Sequence, residues 1–137
     1  EKLLDRKPKA LSGGQRQRAW IAMAIAQDTE ILFLDEPTSF LDVAHQMEVL
    51  RLVQHLNEAY GKTIIMVLHE LNQAARFAHC LVGMCRGQLL YCGTPEEVFH
   101  KEMLHRVFHI DAELMSDPRT GKPMCIPYCV NESEHSA

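Results

Sequence analysis

Two short apolar runs, each ending in polar or charged residues, constrain the fold of this chain more than any other feature. "ILFLDEP" (31–37) and "TIIMVLH" (63–69) hold four and five consecutive apolar residues, which is too short for an ordinary helix. Helix-forming stretches flank them, from Gly13 to Gln27, from Val43 to about Tyr60, and in "ELNQAARFA" (70–78). Because parallel strands need helical crossovers, this α-β-α-β-α order predicts an α/β fold whose parallel strands are buried on both faces and covered by helices.

The second half of the chain adds a predicted hairpin and more helix. "CLVGMCR" and "QLLYCG" flank a turn at Arg86-Gly87, which is typical of two paired strands. In "TPEEVF", Thr94 can cap a helix that starts at Pro95, with Glu97 completing a capping box. We expect "KEMLHRVFHI" to continue helically, before an irregular tail that contains "DPRTGKP" and a last short strand, "MCIPYC".

Composition narrows the class of protein. With 137 residues, 47% hydrophobic and 23% charged, the chain suits one globular domain or part of one. Its net charge of -4 supplies no broad basic field, so we expect no nucleic-acid partner. We see neither a secretory leader nor an apolar run long enough to span a bilayer, which favours a cytosolic location. The five cysteines lack the close pairs of zinc sites, and we expect burial for them in a reducing compartment.

The stretch "ALSGGQRQRAW" (10–20) places a serine and two glycines before a helix. A helix N-terminus exposes unpaired N–H groups and a partial positive charge, and glycines let an anion approach the bare backbone. Ser12, Gly13 and Gly14 are therefore candidate phosphate donors. Taken alone, the same residues are more typical of an ordinary serine cap with a tight turn.

Asp35 and Glu36 end the first apolar run, at the sheet edge where open α/β sheets place ligands. A divalent cation with its waters would stabilise two adjacent carboxylates there: Asp35 suits Mg²⁺, and Glu36 suits accepting a proton from an attacking water. The alternative is a pair of acids solvated at a strand end. His69 ends the next strand, where it is either a water- or phosphate-facing imidazole or a polar terminator.

Three motifs in order resemble those of ATP-binding cassette (ABC) ATPase subunits. "LSGGQRQRAWIAMAIAQ" resembles the signature motif, "ILFLDEPTSFLD" resembles Walker B with the D-loop, and "VLHELNQAARFA" resembles the switch-histidine region. The resemblance extends to about Pro127. "AWIAMAIAQ", "GTPEEVF" and "DPRTGKPMCIP" are most similar to importers of iron-siderophore, haem and cobalamin chelates.

The resemblance implies a partial P-loop nucleoside triphosphatase fold with ATP and Mg²⁺ as cofactors. It implies that Asp35 holds Mg²⁺ through water, and that Glu36 and His69 are the catalytic base and the switch histidine. It implies nucleotide binding at the subunit interface by the signature residues and the D-loop aspartate. These are Ser12, Gly13, Gly14, Gln15 and Asp42.

The resemblance also implies a function and a set of partners. The intact subunit would be an ATPase of an importer of iron-siderophores or similar metal chelates. It would form a head-to-tail homodimer, couple to membrane permease subunits and act indirectly with a substrate-binding protein. Its location would be the inner face of the cell membrane. The alternative is a soluble non-transport ABC ATPase that acts as an interaction or remodelling factor.

Two features of the sequence predict that it is a piece of such a subunit. It begins at Glu1 rather than methionine, and it contains no GxxxxGK[ST] phosphate loop. We therefore expect residues 1–28 to be the end of a helical subdomain that carries the signature motif. Residues 29–137 would be the C-terminal part of the ATPase core with a C-terminal extension. Without the phosphate-loop half, we expect this chain alone to be inactive.

Overall fold

The computed structural model describes residues 13–130 of the chain. The chain divides into two compact units, Glu1–Leu68 and His69–Ala137, and each unit is described by itself. The first unit contains α1 (Gly13–Ala26), β1 (Ile31–Asp35), α2 (Val43–Tyr60) and β2 (Thr63–Val67). The second contains α3 (Leu71–Phe77), β3 (Leu81–Cys85), β4 (Gln88–Gly93), α4 (Pro95–Val98), α5 (Lys101–Phe108), β5 (Ile110–Ser116) and β6 (Pro123–Val130).

In the first unit, β1 and β2 pair in parallel, from Ile31 beside Thr63 to Asp35 beside Val67. The crossover between them is α2, which begins after Asp42 and ends at Gly61 with φ 63°. Glycine adopts this left-handed conformation without the Cβ clash that other residues meet. The α/β class, the parallel pairing and both ends of α2 are as the sequence predicts.

One face of this two-stranded sheet packs against a hydrophobic core, and the other is open in the described structure. Ile21 of α1 and Val49 and Val53 of α2 form a core, and β1 and β2 contribute Leu34, Ile64 and Met66 to it. The alternate residues are exposed: Ile31 49%, Phe33 72%, Ile65 49% and Val67 52%. The expectation of burial on both faces is therefore wrong for the described residues, because α1 and α2 contribute to the same core on one face.

The predicted hairpin is present in the second unit. β3 and β4 pair antiparallel, from Leu81 beside Gly93 to Cys85 beside Gln88, with an irregularity in register between Gly83 and Met84. Arg86 (φ 49°) and Gly87 (φ 76°) both have the positive φ that a two-residue turn between twisted strands requires.

The helical stretch after the hairpin is interrupted. Thr94 and Glu97 form the predicted capping box at α4: the Thr94 hydroxyl accepts from the Glu97 N–H, and the Thr94 N–H donates to Glu97 Oε2 at 2.9 Å. This helix ends at Val98, and α5 starts separately at Lys101 because His100 caps it, Nδ1 accepting from the Met103 N–H at 3.2 Å. The expectation of continuous helix through His109 and Ile110 is wrong, since His109 (φ 54°) ends α5.

The expected irregular tail is a second hairpin. β5 pairs antiparallel with β6, from Ile110 beside Val130 to Ser116 beside Pro123. β6 corresponds to the expected last strand and is longer than "MCIPYC", whereas β5 is a strand that we did not predict. Apolar residues at 110, 112 and 114 alternate with acids at 111 and 113, and this period of two is the signal for the strand.

The second unit has its own core around Leu104, which is fully buried, with Met103, Phe99 and Ala75 beside it. The cysteines do not follow the predicted burial. Cys125 alone among them is buried; Cys85 is half-buried, and Cys80, Cys92 and Cys129 are exposed. Within residues 13–130, no helix has the length and apolar character needed to cross a membrane.

Candidate functional site

The acidic doublet lies at the carboxyl end of β1, as predicted. Asp35 is the last residue of the strand and is exposed, on the same side of the pleat as Ile31 and Phe33. Glu36 follows with φ 47°, a left-handed conformation that costs about 1–3 kcal/mol for a non-glycine residue. The chain therefore leaves the strand sharply at Glu36, and the two adjacent carboxyl groups do not continue one pleat.

A short turn holds Glu36. Its Oε2 accepts a hydrogen bond from the Ser39 hydroxyl at 2.9 Å, and its carbonyl oxygen accepts one from the Ser39 N–H at 3.1 Å. Pro37 and Thr38, between these two residues, are buried. The turn thus fixes the position of a half-buried carboxylate just beyond the strand. We did not single out Ser39 from the sequence; its hydroxyl three residues after an acid was the available signal.

Asp42 occupies the N-cap of α2. Its Oδ1 accepts from the His45 N–H at 2.9 Å, and its Oδ2 contacts His45 Nδ1 at 2.7 Å. The hydrogen bond from the His45 backbone, together with the His45 side chain, lowers the pKa of Asp42. In this structure, therefore, the Asp42 carboxylate caps its own helix.

The signature residues lie at or before the start of α1. Gly13 and Gly14 are its first two residues, so their N–H groups belong to the helix terminus that lacks intrahelical acceptors. Gln15 follows and is half-buried. Ser12 lies outside the described residues.

His69 is exposed and is the first residue of the second unit, two residues after β2 ends at Val67. The register places Val67 beside Asp35, so β1 and β2 end at the same level. This confirms that the strand leading to His69 is parallel to the strand leading to the acids.

The donor set at the end of β1 suits Mg²⁺ bound with a nucleotide. Mg²⁺ keeps several waters and usually takes one or two carboxylates together with substrate phosphates, rather than an all-protein cage. Asp35 supplies one exposed carboxylate in that place. Within the described part of the chain, no cluster of three or more His, Cys, Asp or Glu side chains forms a metal cage.

Comparison with known proteins agrees with this arrangement. The family model for the ABC transporter matches residues 1–39. The chain is 53% identical over 130 residues to the iron(3+)-hydroxamate import ATP-binding protein of Bacillus subtilis (strain 168), covering 95% of this chain and 48% of that protein. It is 44% identical over 125 residues to the ferric enterobactin transport ATP-binding protein of Escherichia coli (strain K12), covering 91% of this chain and 46% of that protein.

Solved structures give the same result. A metal-chelate type ABC transporter in an inward-facing conformation superposes with a TM-score of 0.81 at 30% identity, covering 90% of this chain and 50% of that chain. A dimeric ATP-binding cassette in a post-hydrolysis state, bound to ADP and Pi, superposes with a TM-score of 0.63 at 36% identity, covering 69% and 40%.

These similarities define the class of protein as an α/β protein with the P-loop nucleoside triphosphatase fold. More narrowly, the chain is similar to the ATP-binding proteins of ABC transporters, and the two relatives that it matches at 53% and 44% identity are named for iron(3+)-hydroxamate import and ferric enterobactin transport. The chain spans about half the length of these curated relatives.

Proposed function

We propose that this chain is the C-terminal half of the ATP-binding subunit of an ABC importer that takes up an iron-siderophore or a similar metal chelate. The observation that carries the proposal is the 53% identity, over 95% of the chain, to an iron(3+)-hydroxamate import ATP-binding protein. The superposition on a metal-chelate type transporter supports the same cargo class.

The end of β1 is the proposed hydrolytic centre. Asp35 would hold Mg²⁺ through water, and the ion would supply charge neutralisation at the nucleotide phosphates. Glu36 would accept the proton of the attacking water, and the Ser39 hydroxyl bonded to its Oε2 would orient the carboxylate for this task. His69 would be the switch histidine that orients water or a terminal phosphate.

The start of α1 is the proposed phosphate contact for a nucleotide held mainly by a second subunit. Ser12, Gly13, Gly14 and Gln15 would offer backbone and side-chain donors at a helix N-terminus, where negative charge is favoured. Asp42 would lie at the same interface as part of the D-loop. We further propose that residues 1–28 end a helical subdomain and that residues 29–137 belong to the ATPase core.

The proposed assembly is a head-to-tail homodimer on the inner, cytoplasmic face of the cell membrane. It would be bound there through permease subunits and would act indirectly with a substrate-binding protein. A dimeric relative bound to ADP and Pi supports both the dimer and the use of ATP. In such an assembly each site is completed by the neighbouring subunit.

These 137 residues do not supply the whole nucleotide site. The Gly-Lys-Thr at 61–63 lacks the glycine five positions earlier that a GxxxxGK[ST] loop requires, since Leu56 stands there. Gly61 instead ends α2, and Lys62 Nζ contacts Asp28 Oδ1 at 2.7 Å. We therefore expect the purified chain alone to show no Mg²⁺-dependent ATP turnover, and measurable turnover would contradict this.

A chimera tests the function. The N-terminal half of the B. subtilis iron(3+)-hydroxamate import ATP-binding protein would be joined to this chain, in a strain that lacks the native subunit. We expect growth on ferric hydroxamate as the sole iron source and ATP hydrolysis by the purified chimera. Glu36→Gln should lower hydrolysis by about 10²-fold or more, the usual contribution of a general base.

The matched control is Glu58→Gln, which removes an exposed carboxylate on α2 without touching the proposed site. It should leave hydrolysis and growth unchanged. A chimera that accumulates as folded protein but neither hydrolyses ATP nor supports growth would contradict the proposal, as would full hydrolysis by Glu36→Gln. Hydrolysis without growth on any of several ferric siderophores would contradict the proposed cargo class.

A further inference from the structure

Two cysteines of the β3–β4 hairpin face each other at the protein surface. The Sγ atoms of Cys80 and Cys92 are 3.9 Å apart, and both side chains are exposed. The sequence-based expectation for these residues was burial, so the structure gives them an environment in which small reagents reach both sulfurs. A disulfide needs an S–S distance of about 2.05 Å, which rotation about the two Cα–Cβ bonds can approach from this starting point.

The hairpin register explains why this pair meets. Val82 lies opposite Cys92, and Cys80 precedes Val82 by two residues, so Cys80 and Cys92 share a face as diagonal neighbours. Diagonal neighbours in a flat ladder lie about 7–8 Å apart, which is at the limit for a disulfide. The 3.9 Å separation of the two sulfurs shows that the side chains of this diagonal pair reach toward each other.

We propose that Cys80 and Cys92 form a reversible disulfide when the protein meets an oxidised low-molecular-weight thiol such as glutathione disulfide. The thiolate of Cys80 attacks one sulfur of the small disulfide and releases one small thiol. The thiolate of Cys92 then attacks the Cys80 sulfur of the mixed disulfide and releases the second small thiol. Two electrons pass from the protein sulfurs to the small disulfide, and the two thiol protons end on the two released thiols.

The electrostatics of the pair support this order of events. The hydrogen bond with Cys80, followed by the charge of the Cys80 sulfur, raises the pKa of Cys92. Cys92 therefore keeps its proton to higher pH, which suits the resolving thiol rather than the first nucleophile. Oxidation would link the segment after α3 to the segment before α4, because Cys80 follows Phe77 by three residues and Cys92 precedes Pro95 by three. The proposed disulfide between Cys80 and Cys92 does not depend on the proposed transport function.

Trypsin provides a direct test, since Arg86 lies between the two cysteines in sequence. The protein is incubated with glutathione disulfide, blocked with N-ethylmaleimide and digested without reduction. We expect peptides 77–86 and 87–101 to be recovered as one disulfide-linked species from most molecules, and dithiothreitol should separate them. Peptide 77–86 also contains Cys85, so the assignment needs variants.

Three variants decide which sulfur is used. The linked species should persist in Cys85→Ser and in the exposed-thiol control Cys129→Ser, and it should vanish in Cys80→Ser, which would carry a glutathione adduct on Cys92 instead. Circular dichroism would verify that each variant folds. Loss of the linked species in Cys85→Ser would overturn the proposal. So would glutathione adducts without any linked peptide in the unmodified protein.

Discussion

Asn72 makes the most informative contact for testing how the second unit is held together. Its side-chain amide bonds to both backbone groups of Cys125: Nδ2 donates to the carbonyl oxygen at 3.0 Å, and Oδ1 accepts from the N–H at 2.8 Å. The amide thus pairs with β6 as a neighbouring strand would, and it ties α3 to that strand across 53 residues of sequence. Cys125 is 2% exposed, so its backbone depends on protein partners.

The structure sets the size of the effect of Asn72→Ala. Two hydrogen bonds at about 1 kcal/mol each give a loss of about 2 kcal/mol if water replaces the amide. If no water reaches the N–H and carbonyl of Cys125, the cost of burying these two groups without hydrogen-bond partners raises the loss to about 4 kcal/mol. We therefore expect the free energy of unfolding to fall by about 2–4 kcal/mol.

Urea unfolding followed by circular dichroism measures this loss as a lower midpoint at unchanged slope. Asn72→Asp provides a second arm. At neutral pH its carboxylate accepts from the Cys125 N–H but repels the carbonyl, whereas the protonated acid donates to that carbonyl again. Its stability relative to the parent should therefore improve as pH falls through the carboxyl range.

A suitable control is Asn57→Ala in the first unit, where the side chain makes a single bond, Nδ2 donating to the Lys62 carbonyl at 2.9 Å. It should cost about half as much or less. A loss below about 0.5 kcal/mol for Asn72→Ala, or equal losses for the two variants, would refute the argument that the paired amide completes the edge of β6.

Two further predictions concern packing and pH. Leu104→Ala should lower the free energy of unfolding by about 2–5 kcal/mol, because Leu104 is fully buried. The control Leu89→Ala, at a 60% exposed position, should change the free energy of unfolding by about 0.5 kcal/mol or less. Equal urea midpoints for the two variants would contradict this prediction. Because the folded-state pKa of Asp42 is lowered, its contribution to stability is present above the ordinary carboxyl pKa and is lost as pH falls through the lowered value. Asp42→Asn, which retains a capping oxygen that does not titrate, should flatten that part of the acid unfolding curve, and an unchanged curve would argue against the cap.

The elements of the first unit were predictable because local signals and tertiary structure agree there. Asp42 and Gly61 mark the two ends of α2 with side-chain and backbone chemistry that acts over a few residues. The strands were recognisable from their apolar runs. The sequence did not predict which faces of the strands are covered, because an apolar run is consistent with burial on both faces. Phe33, for example, is 72% exposed.

The misread part of the second unit has a different cause. His100 and His109 mark the two ends of α5, at positions where sequence patterns favour Ser, Asp or Gly. The His100 side chain accepts a hydrogen bond at the start of α5, and His109 adopts φ 54° at its end. The rules for helix ends therefore missed both breaks. β5 was overlooked because we expected helix through Ile110 and an irregular tail after it, although the alternation of its two acids with apolar residues is typical of a half-exposed strand.

At the acidic doublet, the position was predictable but the geometry was not. Alternation along β1 puts Leu34 inward and Asp35 outward, so a continued strand would turn Glu36 toward the core, where an unpaired carboxylate is costly. The left-handed φ of Glu36 avoids this and brings its carboxylate to the Ser39 hydroxyl. Sequence rules do not place glutamate at positive φ, so this conformation was not predictable. The strained backbone lies at the residue that we propose as the catalytic base. Glu36→Gly would relieve the backbone strain and remove the carboxylate at the same time, so its effect on hydrolysis could not be assigned to either change. The isosteric Glu36→Gln keeps a side chain of the same shape and removes only the base, so it separates the chemistry from the backbone conformation.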